Sequence, residues 1–411
     1  MIFLPDRSSR VYVESKYGIP YFSGSDILIA YPKASSYISK NHKSVKNTLI
    51  KQGWLLVAAR GTVGNTVITS KRMNNACASD NIIRVCTNEN HPSGFIYAFF
   101  KSRYGVFQFR KNVYGAVVDA ISPSHIASVR LPLFKNKDID FINKSISDAC
   151  LLRERANDLI DESEELFFKL LKLPKNLENK NYIEREFKSY EVESFGFEKR
   201  LDASFYNPIV NEAVMILKKS GLKITQLGDK EFIRKVFIPG RFKRVYVESK
   251  YGVPFLSGKN IIQTEPQGLK FLSSSNTKKL STYVLKKNWI LVTCSGTIGK
   301  VSMVPDSWDG WTASQHILRI IPNKIHPGYL YSFISSFYGI YQIQKYIHGS
   351  VVDEITAPQI EQVYLPIPSG KIQEEIGKKV EEAFVLRDKA NNVEKNAINF
   401  LEKQIEESSA S

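Results

Sequence analysis

The sequence predicts an α+β protein: two globular α/β domains in pseudo-two-fold tandem repeat, joined and spaced by two long antiparallel coiled-coil helices. Three observations predict it. The chain is written twice, each copy mixes short β-rich runs with helical patterns, and each copy runs into a segment of period seven. The length of 411 residues fits several domains, and the 43% hydrophobic content is enough to build real cores.

The repeat comes first. Arg10-Val-Tyr-Val-Glu-Ser-Lys-Tyr-Gly18 recurs unchanged from Arg244 to Gly252. Trp54, Val57, Gly61, Thr62 and Gly64 recur as Trp289, Val292, Gly296, Thr297 and Gly299. Ser79 and His91-Pro92 become Ser314 and His326-Pro327. Gly115, Val117, Val118, Asp119 and Ile121 match Gly349, Val351, Val352, Asp353 and Ile355, and Leu131-Pro132 matches Leu365-Pro366. So long a period is a domain duplication, not a solenoid. The domains are read as residues 1–134 and 199–370. Within them, runs such as Trp54-Leu-Leu-Val-Ala and Trp289-Ile-Leu-Val-Thr are strands. Helical patterns cover 92–112, 327–347 and 207–219, the last with Pro208 near its start.

Residues 135–172 and 371–408 are read as spacer helices, with 173–198 as a connector. In the first, Leu152, Leu159 and Leu166 lie seven apart beside Ala149, Ala156 and Ser163. In the second, Leu386, Val393 and Phe400 lie beside Ala383, Ala390 and Ala397. Two matching seams favour an intramolecular antiparallel pair, and the small residues let two helix axes approach closely.

Charge is divided in the same way. The net charge is +16. Residues 1–134 hold 17 basic and 6 acidic residues, and 199–370 hold 22 and 11, so each domain carries +11. The three remaining segments are each slightly acidic, at −2. Two anion-binding bodies with neutral spacers explain this alternation, and the partner is a polyanion. The candidate contacts in the first domain are Lys43, Lys46, Arg60, Lys71, Arg72, Arg103, Arg110, Lys111 and Tyr114. In the second they are Arg241, Lys243, Arg244, Lys278, Lys279, Ser295, Lys300, Lys345 and Tyr346. Lys and Arg reach phosphates, and Arg can grip guanine bidentately.

Other chemistry is not written here. Four Cys without a C-x-x-C pair exclude a disulfide framework and argue against a zinc ribbon. No apolar run approaches the ~18 residues a membrane span needs, and the start is too short for a signal peptide. A cytoplasmic, membrane-free protein is expected. Gly296-Thr-Ile-Gly299-Lys300 is not a phosphate loop, because Cys294 stands where its first Gly belongs and Val301 where its Ser/Thr belongs. A tight turn presenting Arg60 or Ser295 is the better reading. Of the His residues, only His91 and His326 repeat, each before Pro. The repeated carboxylates Glu14/Glu248 and Asp119/Asp353 lack an accompanying nucleophile or metal set. There is no Gly-rich cofactor loop after a strand and no Asn/Asp-Pro-Pro-aromatic motif. The sequence therefore predicts no catalytic residue, no metal and no cofactor in this chain.

The ordered set resembles the specificity (S) subunit of type I restriction–modification systems. The matching pieces are the duplicated halves, the Trp-initiated strand leading into Gly-Thr-Val/Ile-Gly, and the Gly-x-Val-Val-Asp…Leu-Pro segment leading into a long helix. Arg200-Leu-Asp-Ala-Ser-Phe-Tyr-Asn-Pro208 looks like the usual opening of a target-recognition domain in that family. Each motif alone is weak; the ordered set, present twice over nearly the whole chain, is specific. The resemblance implies two target-recognition domains, each reading half of a bipartite, asymmetric sequence in double-stranded DNA. It implies two modification subunits that bind S-adenosylmethionine and methylate adenine, and restriction subunits as optional further partners. A self-contained DNA methyltransferase or nuclease of the type II class and a non-enzymatic basic scaffold are the alternatives. One departure stands out. Residues 199–235 have almost no counterpart in the first copy, so the first domain is expected to be truncated, misassigned at its start, or without its opening helix. The copies differ most at 28–53 against 262–288 and at 65–75 against 300–311, where base choice is expected to be set.

Overall fold

The computed structural model describes residues 1–43, 45–61, 63–88, 92–111, 113, 119–177, 191, 200, 202–275, 277 and 280–410. The predicted connector thus lies largely outside the described residues, as do Tyr114, Lys278 and Lys279. The chain forms two units, residues 1–155 with 386–411 and residues 156–385.

In the first unit, β1 (Ile2–Phe3), β2 (Gly18–Phe22), β3 (Ser36–Ser39), the short helix α1 (Val45–Thr48), β4 (Leu55–Ala58), β5 (Thr66–Ile68), β6 (Cys77–Ala78) and β7 (Ile82–Val85) build two sheets. One has the order β1-β7-β4-β5, wholly antiparallel, and the other the order β3-β2-β6. Next come helices α2 (Ser93–Lys101), α3 (Arg103–Lys111) and α4 (Pro123–Ala127), and then the first part of α5 (Asn136–Leu171). One face of the four-stranded sheet packs Leu55, Val57, Ile83 and Val85 against these helices. The other packs Leu56 and Ile82 against Phe22, Ile27 and Ala78 of the smaller sheet region. Burial on both faces is why Leu55-Leu-Val-Ala58 is a continuous apolar run rather than an alternating one.

The second unit repeats this plan with additions. It opens with α6 (Pro208–Lys219), β8 (Lys223–Gln226) and β9 (Ile233–Phe237). It continues with β10 (Tyr246–Val247), β11 (Gly252–Leu256), β12 (Lys270–Ser273), β13 (Ile290–Thr293), β14 (Val301–Met303), β15 (Thr312–Ala313) and β16 (Ile317–Pro322). Then come α7 (Pro327–Ser335), α8 (Phe337–Gln344), α9 (Ala357–Glu361), β17 (Tyr364–Ile367) and the first part of α10 (Gly370–Ala410). The sheet β14-β13-β16-β9 matches β5-β4-β7-β1 residue by residue. Phe3 pairs with Arg84 as Phe237 pairs with Arg319, and Leu56 faces Arg84 as Leu291 faces Arg319. Phe3 meets Trp54 edge-on and Phe237 meets Trp289 in the same way, both at 6.0 Å.

Each sheet buries an arginine. Arg84 and Arg319 are fully inaccessible. The Arg84 guanidinium donates to the carbonyls of Ser79 (2.8 Å), Ile82 (2.5 Å), Ala78 (2.6 Å) and Thr48 (3.1 Å). Arg319 donates to the carbonyls of Ser314 (2.8 Å), Ala313 (2.5 Å) and Ile317. Burial pushes Arg84 down to about 10 and Arg319 down to about 9, so both remain cationic at neutral pH. The cage clips the last strand of the small sheet to the turn that opens β7 or β16.

The predicted single helices over 92–112 and 327–347 are each two helices. Ser102 and Ser336 are extended (ψ 159° and 161°) and break the run. Each serine caps the second helix of its pair: the Ser102 hydroxyl accepts from Gly105 N at 3.2 Å and the Ser336 hydroxyl from Gly339 N at 3.4 Å. The first helix of each pair docks on a long helix through a glycine. A Cβ on Gly328 would meet the backbone of Gly377, and one on Gly94 would meet Asn143, whose side chain accepts from Gly94 N at 3.0 Å.

Both long helices are shared between units. In the first unit, Phe141 packs on Phe400 (4.9 Å) while Arg153 reaches Asn391 (2.8 Å), so the helices run antiparallel. In the second, Lys379 pairs with Glu162 at 2.7 Å. Of the predicted seam, the small column is the buried one: Ala149, Ala156, Ser163, Ala383, Ala390 and Ala397 are all at or below 1% exposure. Leu152, Leu166, Leu386, Val393 and Phe400 are half-buried, and Leu159 is buried.

The first unit places a buried carboxylate in this pairing. Glu394 of α10 is 2% exposed. It pairs with Arg153 (2.6 Å) and Lys101 (3.4 Å) and accepts from the Tyr97 hydroxyl (2.9 Å). Burial alone would push this carboxyl up, but Arg153 and then Lys101 outweigh it and bring it down to about 2.

These cores carry two predictions. Replacing Arg319 by Ala leaves several buried carbonyls unbonded beside a void, and denaturant unfolding should show a loss of about 3–5 kcal/mol; a loss below ~1 kcal/mol would deny the cage its role. Glu394→Gln removes one partner of a buried ion pair and should cost about 3–5 kcal/mol at neutral pH. Because the folded carboxyl titrates at about 2, the wild-type stabilisation is complete above the unfolded value of ~4.3 and fades as pH falls towards 2. Acid titration of stability should therefore be flatter in the variant over that window.

Candidate nucleic-acid interface

The Gly-Thr-Val/Ile-Gly turn is built alike in both units. Its two glycines take positive φ, 74° and 85° for Gly61 and Gly64 and 76° and 86° for Gly296 and Gly299. A side chain would be strained at each, so the motif is a backbone requirement. Gly64 N bonds Ala58 O at 3.0 Å, and Gly299 N bonds Thr293 O at 3.1 Å. The repeated acidic segment then crosses the turn. Gly61 N donates to Asp119 O (3.2 Å) and Ile121 N to Ala59 O (2.9 Å). Gly296 N donates to Asp353 O (2.9 Å) and Ile355 N to Cys294 O (3.1 Å). Arg60 is exposed at this crossing, bridged to Ala120, and Ser295 is half-buried, bridged to Glu354. Lys300 is exposed just beyond the second turn. These turns place Arg60 and Lys300 at the surface.

The repeated Arg10 and Arg244 are held by a second device. Arg10 pairs with Asp80 and lies over the Tyr21 ring at 5.4 Å. Arg244 donates to Gln315 Oε1 at 2.6 Å and lies over Phe255 at 5.2 Å. Sequence reasoning picked Arg244 and missed Arg10, although the unchanged nine-residue repeat carried the signal. His316, beside Gln315 at 3.0 Å, is held below its usual pKa, first by burial and then by Arg244.

Arg241 and Lys243 are exposed near Arg244. In the first unit Lys43 and Lys46 are exposed around α1, and Lys46 joins Lys51, Phe3, Leu4 and Trp54 around a cleft of about 440 Å³. Lys71 is exposed, its backbone N–H bonded to Glu154 (2.9 Å), and Arg72 stacks over Tyr31 at 5.0 Å. Arg110 and Lys111 are exposed at the end of α3. Arg103 is differently placed: its backbone N–H donates to Glu402 (2.6 Å) and its guanidinium pairs with Glu406. In the second unit, Lys345 lies over Phe205 (4.2 Å) and Tyr346 (5.9 Å). With Tyr346 it lines a cleft of about 520 Å³ that Lys218 and Lys219 also border. Those two lysines were missed, although they close the amphipathic 207–219 pattern. Among the described residues, no three His, Cys, Asp or Glu side chains gather as a metal group, and no helix is long and apolar enough to cross a membrane.

Residues 239–403 match the family described as the type I restriction modification DNA specificity domain. Three solved structures are similar over nearly the whole chain. The S subunit of a type I restriction-modification system from M. genitalium is 16% identical, with 97% of this chain and 90% of that chain covered and a TM-score of 0.32. The HsdS subunit from Thermoanaerobacter tengcongensis is 13% identical (96% and 90%, TM-score 0.32). A chain from work on complex assembly and conformational transition of the type I R-M system is 11% identical (96% and 91%, TM-score 0.32). A search of curated proteins gave no match. The specificity domain contains both the second Gly-Thr-Ile-Gly turn and the Arg244 device, and the first unit reproduces both.

Binding of DNA by these cations should be salt-dependent, with each lost phosphate contact lowering the log–log salt slope by about 0.9. Arg60→Ala and Lys300→Ala should each do so in a titration over salt. Arg103→Ala should leave the slope unchanged, because that guanidinium is already paired. Equal effects of all three would contradict the assignment.

Proposed function

We propose that this chain reads a bipartite, asymmetric sequence in double-stranded DNA, one half through each unit, and directs adenine methylation by partner subunits. The observation that carries this is the paired site: the same glycine turn, crossing segment and aromatic-seated arginine built twice, within residues 1–134 and 199–370 that each carry +11. The match of residues 239–403 to the DNA specificity domain family supports DNA recognition as the chain's role. The methyl transfer falls to two modification subunits that hold S-adenosylmethionine, and restriction subunits can join them. The chain itself supplies positioning: cations for the phosphates, and loops of differing sequence for the bases. It holds no catalytic residue in this reading, and it works in the cytoplasm. The differences between 28–53 and 262–288 give the two halves different base preferences.

The test is single-molecule mapping of methyladenine in a host with and without this gene. A bipartite motif with unlike halves should vanish when the gene is removed. Exchanging residues 28–53 for another sequence of the family should change one half only. A perfect palindrome, or methyl transfer by the purified chain alone, would overturn the proposal.

A further inference from the structure

The two units hold the repeated arginine with acceptors of different charge. In the first, Arg10 pairs with Asp80, so the pair is neutral. In the second, Arg244 donates to Gln315 Oε1 (2.6 Å), and among the described residues no carboxylate pairs with it. The scaffold beneath them is the same. Asp80 and Gln315 occupy one position of the repeat, after Ser79 and Ser314. Each serine hydroxyl accepts from the backbone N–H two residues on, Asn81 N and His316 N, both at 3.2 Å.

The Gln315 amide has one orientation that satisfies both of its neighbours. A guanidinium only donates, so the amide oxygen faces Arg244 and the amide nitrogen faces the His316 ring, 3.0 Å from Nε2. That nitrogen donates in turn, so His316 Nε2 offers a lone pair and the ring is neutral, with its proton on Nδ1. The surroundings favour this form. Burial first and Arg244 second hold His316 below its ordinary pKa, Arg241 acts in the same sense, and Glu354 opposes them. A protonated ring would meet the amide donor with a second donor. Turning the amide to suit that ring would present its N–H groups to Arg244.

We propose that Gln315 and His316 are positioning residues that hold Arg244 as an uncancelled cation for duplex DNA, while Asp80 commits Arg10 to the fold. The assignment rests on DNA reading by both units and makes the two unequal: the repeated arginine counts towards phosphate binding in the second unit and not in the first. Its place suits such a contact. His316 O accepts from Cys294 N (3.0 Å), directly before Ser295 and the glycine turn that leads to exposed Lys300. Arg244 is half-buried, with its guanidinium over the rings of Phe255 (5.2 Å) and Phe242 (5.8 Å). A side chain seated in this way loses little further freedom when it meets a phosphate.

The test exchanges the acceptors. Gln315→Asp and Asp80→Gln each give one unit the residue that the other already holds, so each arginine keeps an acceptor. Binding of the full chain to a fluorescent duplex of mixed sequence is titrated over salt at neutral pH. Gln315→Asp should lower the log–log slope by about 0.9, and Asp80→Gln should raise it by about 0.9. Arg244→Ala should lower the slope in the wild type and not further beside Gln315→Asp, whereas Arg10→Ala should act only beside Asp80→Gln. His316→Leu removes the lone pair and should weaken binding about two- to tenfold. His316→Gln, whose side-chain oxygen can stand where Nε2 stood, should restore it. Unchanged slopes in both exchanges, with Lys300→Ala still lowering its own, would overturn this proposal and leave the DNA reading standing. Equal binding by His316→Leu and the wild type would overturn the role of His316, and salt-insensitive binding by the wild type would overturn both the assignment and the DNA reading.

Discussion

The arginine buried in each four-stranded sheet is the contact on which the candidate interface hangs. A guanidinium without water needs several acceptors, and here backbone carbonyls supply them. Arg84 collects them from β6, from the adjoining turn and from α1. This fixes residues 78–82, and two functional features start from that segment. Asn81 O accepts from Ala59 N at 2.9 Å, just before Arg60 and the glycine turn. Asp80 holds Arg10. In the second unit His316 O accepts from Cys294 N at 3.0 Å and Gln315 holds Arg244. One buried cation thus sets the place of two surface cations.

Much of this was legible in the sequence. The repeat, the glycine turn and the small-residue column all rest on local spacing, and spacing survives into structure. The large-residue column was overrated: Ala149, Ala390 and Ala397 form the tight line, because close axes bury small side chains and push Leu152 and Val393 to the flanks. Arg84 and Arg319 were invisible as core residues, since a charge in an apolar strand looks like an exposed position until its cage exists. The helix breaks at Ser102 and Ser336 were missed because serine is compatible with a helix interior. The pairing of β8 with β17 joins segments about 140 residues apart, beyond any periodicity.

Charge counting located the two basic bodies but could not say which cations are committed. Arg103 belongs to the surplus of the first domain, yet Glu402 and Glu406 of α10 engage it. The slight acidity of the long helices is therefore partly internal neutralisation. A surface lysine such as Lys300 and a paired arginine such as Arg103 count alike in the sequence and differ in what they offer a phosphate.

Glu394 shows how the long helices keep one register. An apolar heptad seam tolerates a shift by one repeat, because alanine replaces alanine. A buried carboxylate does not. Glu394 is satisfied only where Arg153, Lys101 and Tyr97 converge. A shift of seven residues would face it with apolar neighbours, at a cost of several kcal/mol for an unpaired buried ion. Its counterpart in the other copy of the repeat is Ile160, which packs on the apolar core of the second unit. Among the described residues Glu394 is the one carboxylate buried in the pairing, and it lies in the first unit. A duplicated chain with identical ends could pair its helices in either sense. The single buried glutamate removes that symmetry, in the way one polar core position specifies a coiled-coil alignment.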